Sequence, residues 1–427
     1  MNQNEPIQGR WWLSNKPKTR ISGDLSIKEK KLELNGCFEE LKSGSFGGAS
    51  RIMSLQKDNT ILGISKKGGK KYTLEFYDEP SFYVSYPGYK ANTYSLGTIF
   101  EGDHFPQTHK LSFSKYYVEF PYLFEWINNG VVSTEVRFLD KKKKQSLEEV
   151  LIRIEKQKKI DVFQNADFKL AWIIQADKMP FMPSKKMNIS QKCLIKVTVL
   201  KKELCLTDIH SIILHLERFL MIAIGKTLEP VSYQAITDNG KNSNTIQIFP
   251  QFLKEKEYTK IHPINMNFTF LDIKDDSQAI FGKWFSDKDK HKDVFDLFSV
   301  VSSGTNRNLN NQFKDIISAI EGYVRIAKNN LNISLEKAIK TINEEVPKDD
   351  RPLNPRKKDY KRIGATRNKL SHVAMEKEDE KYILDDIEKY FYFNKLTFLL
   401  EYSFLKNMGM SENLLEQFHG KKKQLFQ

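Results

Sequence analysis

The rhythm of hydrophobic and polar positions changes at about residue 285. Before that point, short apolar stretches alternate with polar residues in steps of two, the spacing of half-buried strands. Residues 21–27, 31–34, 61–64, 72–77, 81–86, 110–120 and 131–139 read as strands on this pattern, and 169–175 and 192–200 follow. Asn35-Gly36 marks a tight turn, and Gly44 to Gly48 and Gly68-Gly69 mark loops. One helix interrupts: Thr207-Asp208 cap an apolar stretch that runs to about Ile224 and ends at Gly225. Residues 245–249 and 266–273 then return to a strand-like pattern.

Beyond residue 285 the period becomes helical. Phe295, Leu297, Phe298 and Val301 open it, and between 312 and 331 apolar residues fall at 313, 316, 317, 320, 323, 324 and 327, one face of a 3.6-residue repeat. Ser334 caps a second helix to about Val346, and Pro347, Pro352 and Pro355 then interrupt the chain. A third helix begins near Asp359, and a long aromatic fourth runs from about 378 to Met408, before Gly409. The pattern predicts an α+β chain: a β-rich region over 1–285 with a helical segment at 207–225, then an all-α bundle over 286–427.

Composition narrows the function classes. The 427 residues are 40% hydrophobic and 29% charged, with 68 Lys+Arg against 54 Asp+Glu, a net charge of +14. Such an excess fits a polyanionic partner, because neutralising phosphates releases counterions. Three scattered cysteines, Cys37, Cys193 and Cys205, form neither a disulfide framework nor a zinc signature. No signal peptide and no membrane span are expected, since Glu217 and Arg218 break the most apolar stretch, and a reducing cytoplasm is the expected compartment.

The sharpest chemistry lies in Arg367-Asn368-Lys369-Leu370-Ser371-His372. An arginine keeps its charge at any physiological pH, whereas a histidine changes charge near neutrality. Together they suit cleavage of a phosphodiester, one group holding the phosphate and the other moving protons. On an ideal helix Arg367 and His372 lie roughly 140° apart, while Asn368 and His372 share a face. Asn368 would then orient the imidazole, and the long arginine stem would reach the phosphate. One histidine is thin for both acid and base, so two copies facing each other across a two-fold axis are expected. Upstream, Glu321 stands between apolar positions as a supporting acid or as a bundle-internal partner for Arg367.

Other patterns carry less. Gly225-Lys226-Thr227 ends like a phosphate loop, but Leu220 occupies the place of its first glycine, and a helix C-cap is the expected role. Cys205, His210 and His215 have poor ligand spacing, and the acidic pairs Glu344-Glu345, Asp349-Asp350 and Asp385-Asp386 read as solvated faces. At least one of Trp11 and Trp12 is expected to anchor the β-rich region, and Lys421 to Lys423 read as a basic tail.

The bundle from about 290 resembles a HEPN domain, whose ribonucleases carry Arg-polar-x3-His in a late helix and often an acid in the first. Arg10-Trp11-Trp12-Leu13, Ser22-Gly23-Asp24-Leu25, Leu32-Glu33-Leu34-Asn35-Gly36 and Gly102-Asp103-His104-Phe105 resemble the N-terminal domain of the ApeA family of bacterial anti-phage proteins. The resemblance implies a metal-independent endoribonuclease that acts in abortive infection on RNA, with tRNA as a candidate target. It also implies Arg367, Asn368 and His372 as catalytic residues, Glu321 as supporting, and neither metal nor other cofactor. The expected partners are a second copy of the chain, or a higher even-numbered assembly, and a phage-derived trigger sensed through the N-terminal region. The rival reading is a catalytically inactive HEPN scaffold in a sensing protein.

Overall fold

A computed structural model describes residues 5–36, 38, 59–78, 81–85, 89–108, 111–140, 145–176, 189–201, 204–239, 242–250, 258–303, 308–354, 358–371 and 377–426. Cys37, the loop glycines 44–48, Pro355 and His372 lie outside the described residues. The fold is α+β, with a β-rich N-terminal region followed by a C-terminal helical region.

The strands β1 (Ile7–Leu13), β2 (Ile21–Ser26), β3 (Lys31–Leu34), β4 (Thr60–Ser65), β5 (Lys71–Phe76), β6 (Ser81–Ser85) and β7 (Tyr89–Glu101) come first. The order β7-β3-β2-β1-β4-β5 closes into a barrel, because β7 pairs with β3 along 92–95 and with β5 along 96–101, all antiparallel. The barrel has its own small core around Trp11, Leu25, Leu32, Tyr72, Leu74 and Ile99. The N-terminal sequence motifs converge there. Trp11 donates its indole N–H to the Gly23 carbonyl at 3.0 Å, and its ring lies where a Cβ on Gly63 would sit, 2.0 Å from that position. His104 donates to the Gly63 carbonyl at 2.9 Å and meets Trp12 edge-on. Asp103 pairs with Lys71 at 2.8 Å.

The next strands are β8 (Lys115–Glu119), β9 (Val132–Asp140), β10 (Gln145–Ile154), β11 (Lys158–Gln164), β12 (Phe168–Ala176), β13 (Gln191–Val199), β14 (Ser232–Asn239) and β15 (Asn242–Phe249). Beyond the barrel, the sheet continues from β7 in the order β15-β14-β8-β13-β12-β11, while β9 and β10 form a separate hairpin. A short α1 (Leu123–Ile127) follows β8, and α2 (Leu206–Ile224) follows β13. The helical region comprises α3 (Ser277–Ser286), α4 (Lys292–Ser303), α5 (Leu309–Ala327), α6 (Leu335–Glu345), α7 (Asp359–Ser371), α8 (Asp386–Asn407) and α9 (Glu412–Lys422).

One apolar core runs from the open sheet through α2 into the helical region. α2 buries residues on nearly every side, among them Ile209, Ile213, Leu216, Phe219, Leu220 and Ile224. Such a helix is stable only when covered on most of its sides. Aromatic contacts trace the continuity from Trp172 on β12 to Trp126 at 5.9 Å, then Phe219 at 6.2 Å, Trp284 at 5.8 Å and Phe404 on α8 at 6.1 Å. At the centre His215 stacks on Trp284 at 4.5 Å. His215 Nε2 donates to the Trp284 carbonyl at 2.9 Å, and Trp284 Nε1 donates to the His215 carbonyl at 3.0 Å.

Some expectations are corrected. Residues 266–273 are not a strand but a buried loop with two 3-10 turns, although Met266, Phe268 and Phe270 alternate. The segment instead caps the end of α2, as Asn267 donates to the Ile222 carbonyl and the Phe268 amide to that of Ala223. Cys205, rather than Thr207, is the N-cap of α2, with Asp208 as its box partner. Among the described residues 111–120 only Lys115–Glu119 form a strand, and 377–382 form a 3-10 turn ahead of α8. Lys421 and Lys422 are helical rather than a loose tail, with Lys422 paired to Glu401 at 2.9 Å. Gly225 has φ +74 and caps α2 as expected, and both Trp11 and Trp12 are buried. No helix among the described residues is long and apolar enough to cross a membrane.

Burial, with Arg218 and Lys288 adding to it against the helping Trp284 carbonyl, pushes the His215 pKa down to about 3. The folded state therefore binds fewer protons than the unfolded chain between about pH 6.5 and that value, and stability falls as pH drops through this window. The contribution is about 1.4 kcal/mol per pH unit well inside it. In denaturant unfolding at pH 7 and pH 5, a His215→Phe variant is expected to lose distinctly less stability on acidification than the wild type. Equal losses would show that His215 does not titrate on unfolding.

Candidate active site

Arg367 and Asn368 sit in the last turn and a half of α7. The helix is polar overall, so its position depends on a few buried groups rather than on a broad apolar stripe. Ile363, Gly364, Ala365 and Thr366 face inward, and Arg367 is half-buried while Asn368, Lys369 and Ser371 are exposed.

Three polar contacts fix this inward face. At the start, Asp359 is buried, and its carboxylate accepts from the Tyr392 hydroxyl at 2.7 Å and from the Asn354 amide at 2.7 Å. Burial, and then the hydrogen bond and charge of Asp359, push the Tyr392 phenol well above its ordinary range, so it stays a donor. In the middle, Arg362 makes a two-pronged bond to Glu388 at 2.6 and 2.7 Å. Glu388 itself closes a capping box with Asp385 at the start of α8. Near the site, the buried Thr366 hydroxyl donates to the Arg362 carbonyl at 2.8 Å and accepts from the Leu384 amide at 2.9 Å. Asn343 on α6 adds a bond to the Tyr360 hydroxyl at 2.8 Å.

At the tip, Arg367 Nη1 approaches Asn368 Oδ1 at 3.5 Å, a long contact at the exposed surface. His372 follows the last residue of α7 and lies outside the described residues. Glu321 is half-buried on α5, and its carboxylate pairs with Arg325 one turn on, at 2.7 Å. Arg325 also donates to the Ile333 carbonyl, clasping the end of α5 to the approach to α6. The sequence reading missed Asp359, Arg362, Thr366, Tyr392 and Glu388 as the groups that set α7. Only the Asp385-x-x-Glu388 spacing was visible as a signal.

The other sequence clusters have structural roles. His215 is sealed against Trp284, and the Cys205 amide donates to the Asp208 carboxylate at the cap of α2. Among the described residues no group of three or more His, Cys, Asp or Glu side chains is placed to hold a metal ion. A cleft of about 1000 Å³ opens far from α7 in sequence, where the barrel meets the open sheet, lined by Lys66, Lys67, Lys70, Tyr72, Glu101 and Phe249 among others.

Thr366→Val removes the acceptor for a buried amide and leaves the shape nearly unchanged. An unsatisfied buried donor costs about 1–3 kcal/mol, so urea unfolding is expected to show a loss in that range. A loss below ~0.5 kcal/mol would mean that the Leu384 amide finds another partner.

The family model described as ApeA N-terminal domain 1 matches residues 6–284, and that described as Apea-like HEPN matches residues 272–414. No curated protein matches the chain, and no solved structure does. A HEPN domain in this setting supports a ribonuclease-type function in defence. The first match alone spans well over half of the chain, which therefore belongs to the ApeA family, with an ApeA N-terminal domain followed by an ApeA-like HEPN domain.

Proposed function

We propose that this protein is a metal-independent endoribonuclease of an anti-phage, abortive-infection system, with its catalytic groups on and just after α7. The observation that carries the reading is the position of Arg367 and Asn368. They stand in the last turns of a helix held in place by polar contacts, Arg367 half-buried and Asn368 exposed, in a domain of HEPN type. In the proposed reaction the ribose 2′-hydroxyl attacks the adjacent phosphorus as the 5′ oxygen departs. His372 takes the 2′ proton, Arg367 neutralises charge on the phosphorane, and Asn368 orients the imidazole. Glu321 acts at one remove, by holding Arg325 and thus the α5 end of the bundle. The products are a 2′,3′-cyclic phosphate and a 5′-hydroxyl, and tRNA is the proposed substrate.

The leaving 5′ oxygen needs a proton, which the His372 of a second copy supplies. Two apolar side chains support such a pairing. Ile387 and Tyr390, three residues apart on the first turns of α8, are 71% and 54% exposed. They adjoin Glu388, which holds α7, so a second copy docking there would bring two α7 tips near each other. The proposed division of labour places sensing of a phage-derived trigger in residues 1–285 and cleavage in residues 286–427.

Cleavage of total tRNA is expected to proceed in EDTA and to leave cyclic phosphate ends. Arg367→Ala and His372→Ala are each expected to reduce the rate by at least about 100-fold without changing the unfolding midpoint. Activity that requires added divalent metal, or that survives either substitution, would overturn the mechanism. Ile387→Asp is expected to shift the mass in light scattering to that of a single chain and to abolish cleavage. Unchanged mass would remove α8 from the contact.

A further inference from the structure

Tyr382 ends the 3-10 turn that follows α7, Lys377–Tyr382. Its ring gathers three ammonium groups, one from the adjacent Lys381 and two from Lys358 and Lys361 at the start of α7. Lys361 Nζ lies 4.2 Å from the ring centroid, Lys381 Nζ 5.3 Å and Lys358 Nζ 5.6 Å, all within cation–π range. Lys358 precedes α7 with φ +58, a left-handed conformation that costs free energy for a residue with a side chain. Lys361 belongs to the first turn of α7 itself.

Three like charges around one neutral ring repel one another, and a partly exposed ring returns only about 0.5–1 kcal/mol per contact. A polyanion would relieve that repulsion. The phenol is affected in the same sense: its slight burial pushes its pKa up, but Lys358, Lys361 and Lys381 more than offset this and leave it below the usual tyrosine range. The turn also carries Glu378, Asp379 and Glu380, so the surroundings are not uniformly basic. What singles out the ring is the convergence of ammonium groups on it.

Its place relative to the site matters. Lys361 and Asn368 are seven residues apart on one helix, hence on the same face and about 10 Å apart along the axis. Both α7 and the turn are tied together, through the bond from the Leu384 amide to Thr366. The cation cluster is therefore held at a set spacing from the tip that carries Arg367.

We propose that Tyr382, Lys358, Lys361 and Lys381 form an RNA subsite, in which the lysines bind a backbone phosphate beside the scissile one and the ring takes up a base. The subsite rests on the ribonuclease reading and makes it more specific. It supplies positioning, since none of the four residues reaches the reacting atoms. It also gives the cleaved strand a direction, because the lysines lie toward the start of α7 and Arg367 toward its end.

The test uses full-length protein. A fluorescent single-stranded RNA oligonucleotide is titrated in EDTA against the His372→Ala protein, with and without Lys358→Gln, Lys361→Gln and Lys381→Gln together. The lysine substitutions are expected to weaken binding at least tenfold and to lower the slope of log K against log salt by about 0.7, as loss of one neutralised phosphate from a single-strand site requires. Tyr382→Leu, which keeps the lysines, is expected to weaken binding about fivefold or more and to leave the salt slope unchanged. In the active protein the triple variant is expected to raise KM by a similar factor with kcat within about threefold, and Lys361→Arg in the two-lysine background to restore part of the loss. Circular dichroism and the unfolding midpoint check that the fold is intact. Unchanged salt slope and KM in a protein that still cuts RNA would overturn the subsite alone, whereas wild-type protein that neither binds nor cuts RNA would overturn the ribonuclease reading as well.

Discussion

The burial of α2 over most of its circumference is the constraint on which the rest of the structure depends. Its apolar residues point in every direction, so neither the open sheet nor the helices can cover it alone. The sheet takes one side and α3 and α4 take the other. At the seam, His215 and Trp284 exchange hydrogen bonds through their carbonyls while their rings stack. Arg218 adds a second fastening by bonding to Asp296 and Ser299 on α4. The helical region is thus not strung on a flexible linker. Close-packed aromatic side chains join it to the sheet, and such an interior has low compressibility and transmits strain.

The barrel stands in contrast. Its core is separate, and it joins the remainder through β7 and through Lys30, whose ammonium donates to the Phe249 carbonyl at 3.0 Å. Burial pushes the Lys30 pKa down to about 8. The described residues therefore form two hydrophobic centres, and the division between them falls inside the N-terminal region, at β7. The candidate site depends on a third kind of support. α7 contributes little apolar area, and its orientation is set by buried hydrogen bonds to Asp359 and Thr366, whose partners would be costly to leave unpaired, and by the half-exposed pair of Arg362 with Glu388.

The legible part of the fold was the part governed by local chemistry. Ser334 caps α6, Gly225 and Gly409 adopt positive φ at helix ends, and Asp359 opens α7, all as the residue types require. β7 was missed although it is thirteen residues long. Residues 96 to 100 are all buried because the strand lies between the barrel and the sheet, so no alternation of apolar and polar positions survives. The opposite error occurred at 266–273, where alternation exists but Asn267 and Phe268 spend their donors on the end of α2. At the site, Arg367 and Asn368 were visible as a pattern. The groups that fix α7 were not, since Thr366 and Leu384 are eighteen residues apart and Asp359 and Tyr392 thirty-three, and no short spacing encodes such pairs.

One small contact bears on the edge of the open sheet. β11 is the last strand of the open sheet, and its Gln164 backbone is occupied in both directions by the Gln278 amide of α3, which accepts from the amide N–H and donates to the carbonyl, each at 3.0 Å. A side chain there imitates a neighbouring strand. Lateral templating of the sheet onto another molecule is blocked at that residue, and the blocking group comes from the helix that opens the helical region. Continuous β-pairing is disfavoured at that point of the edge.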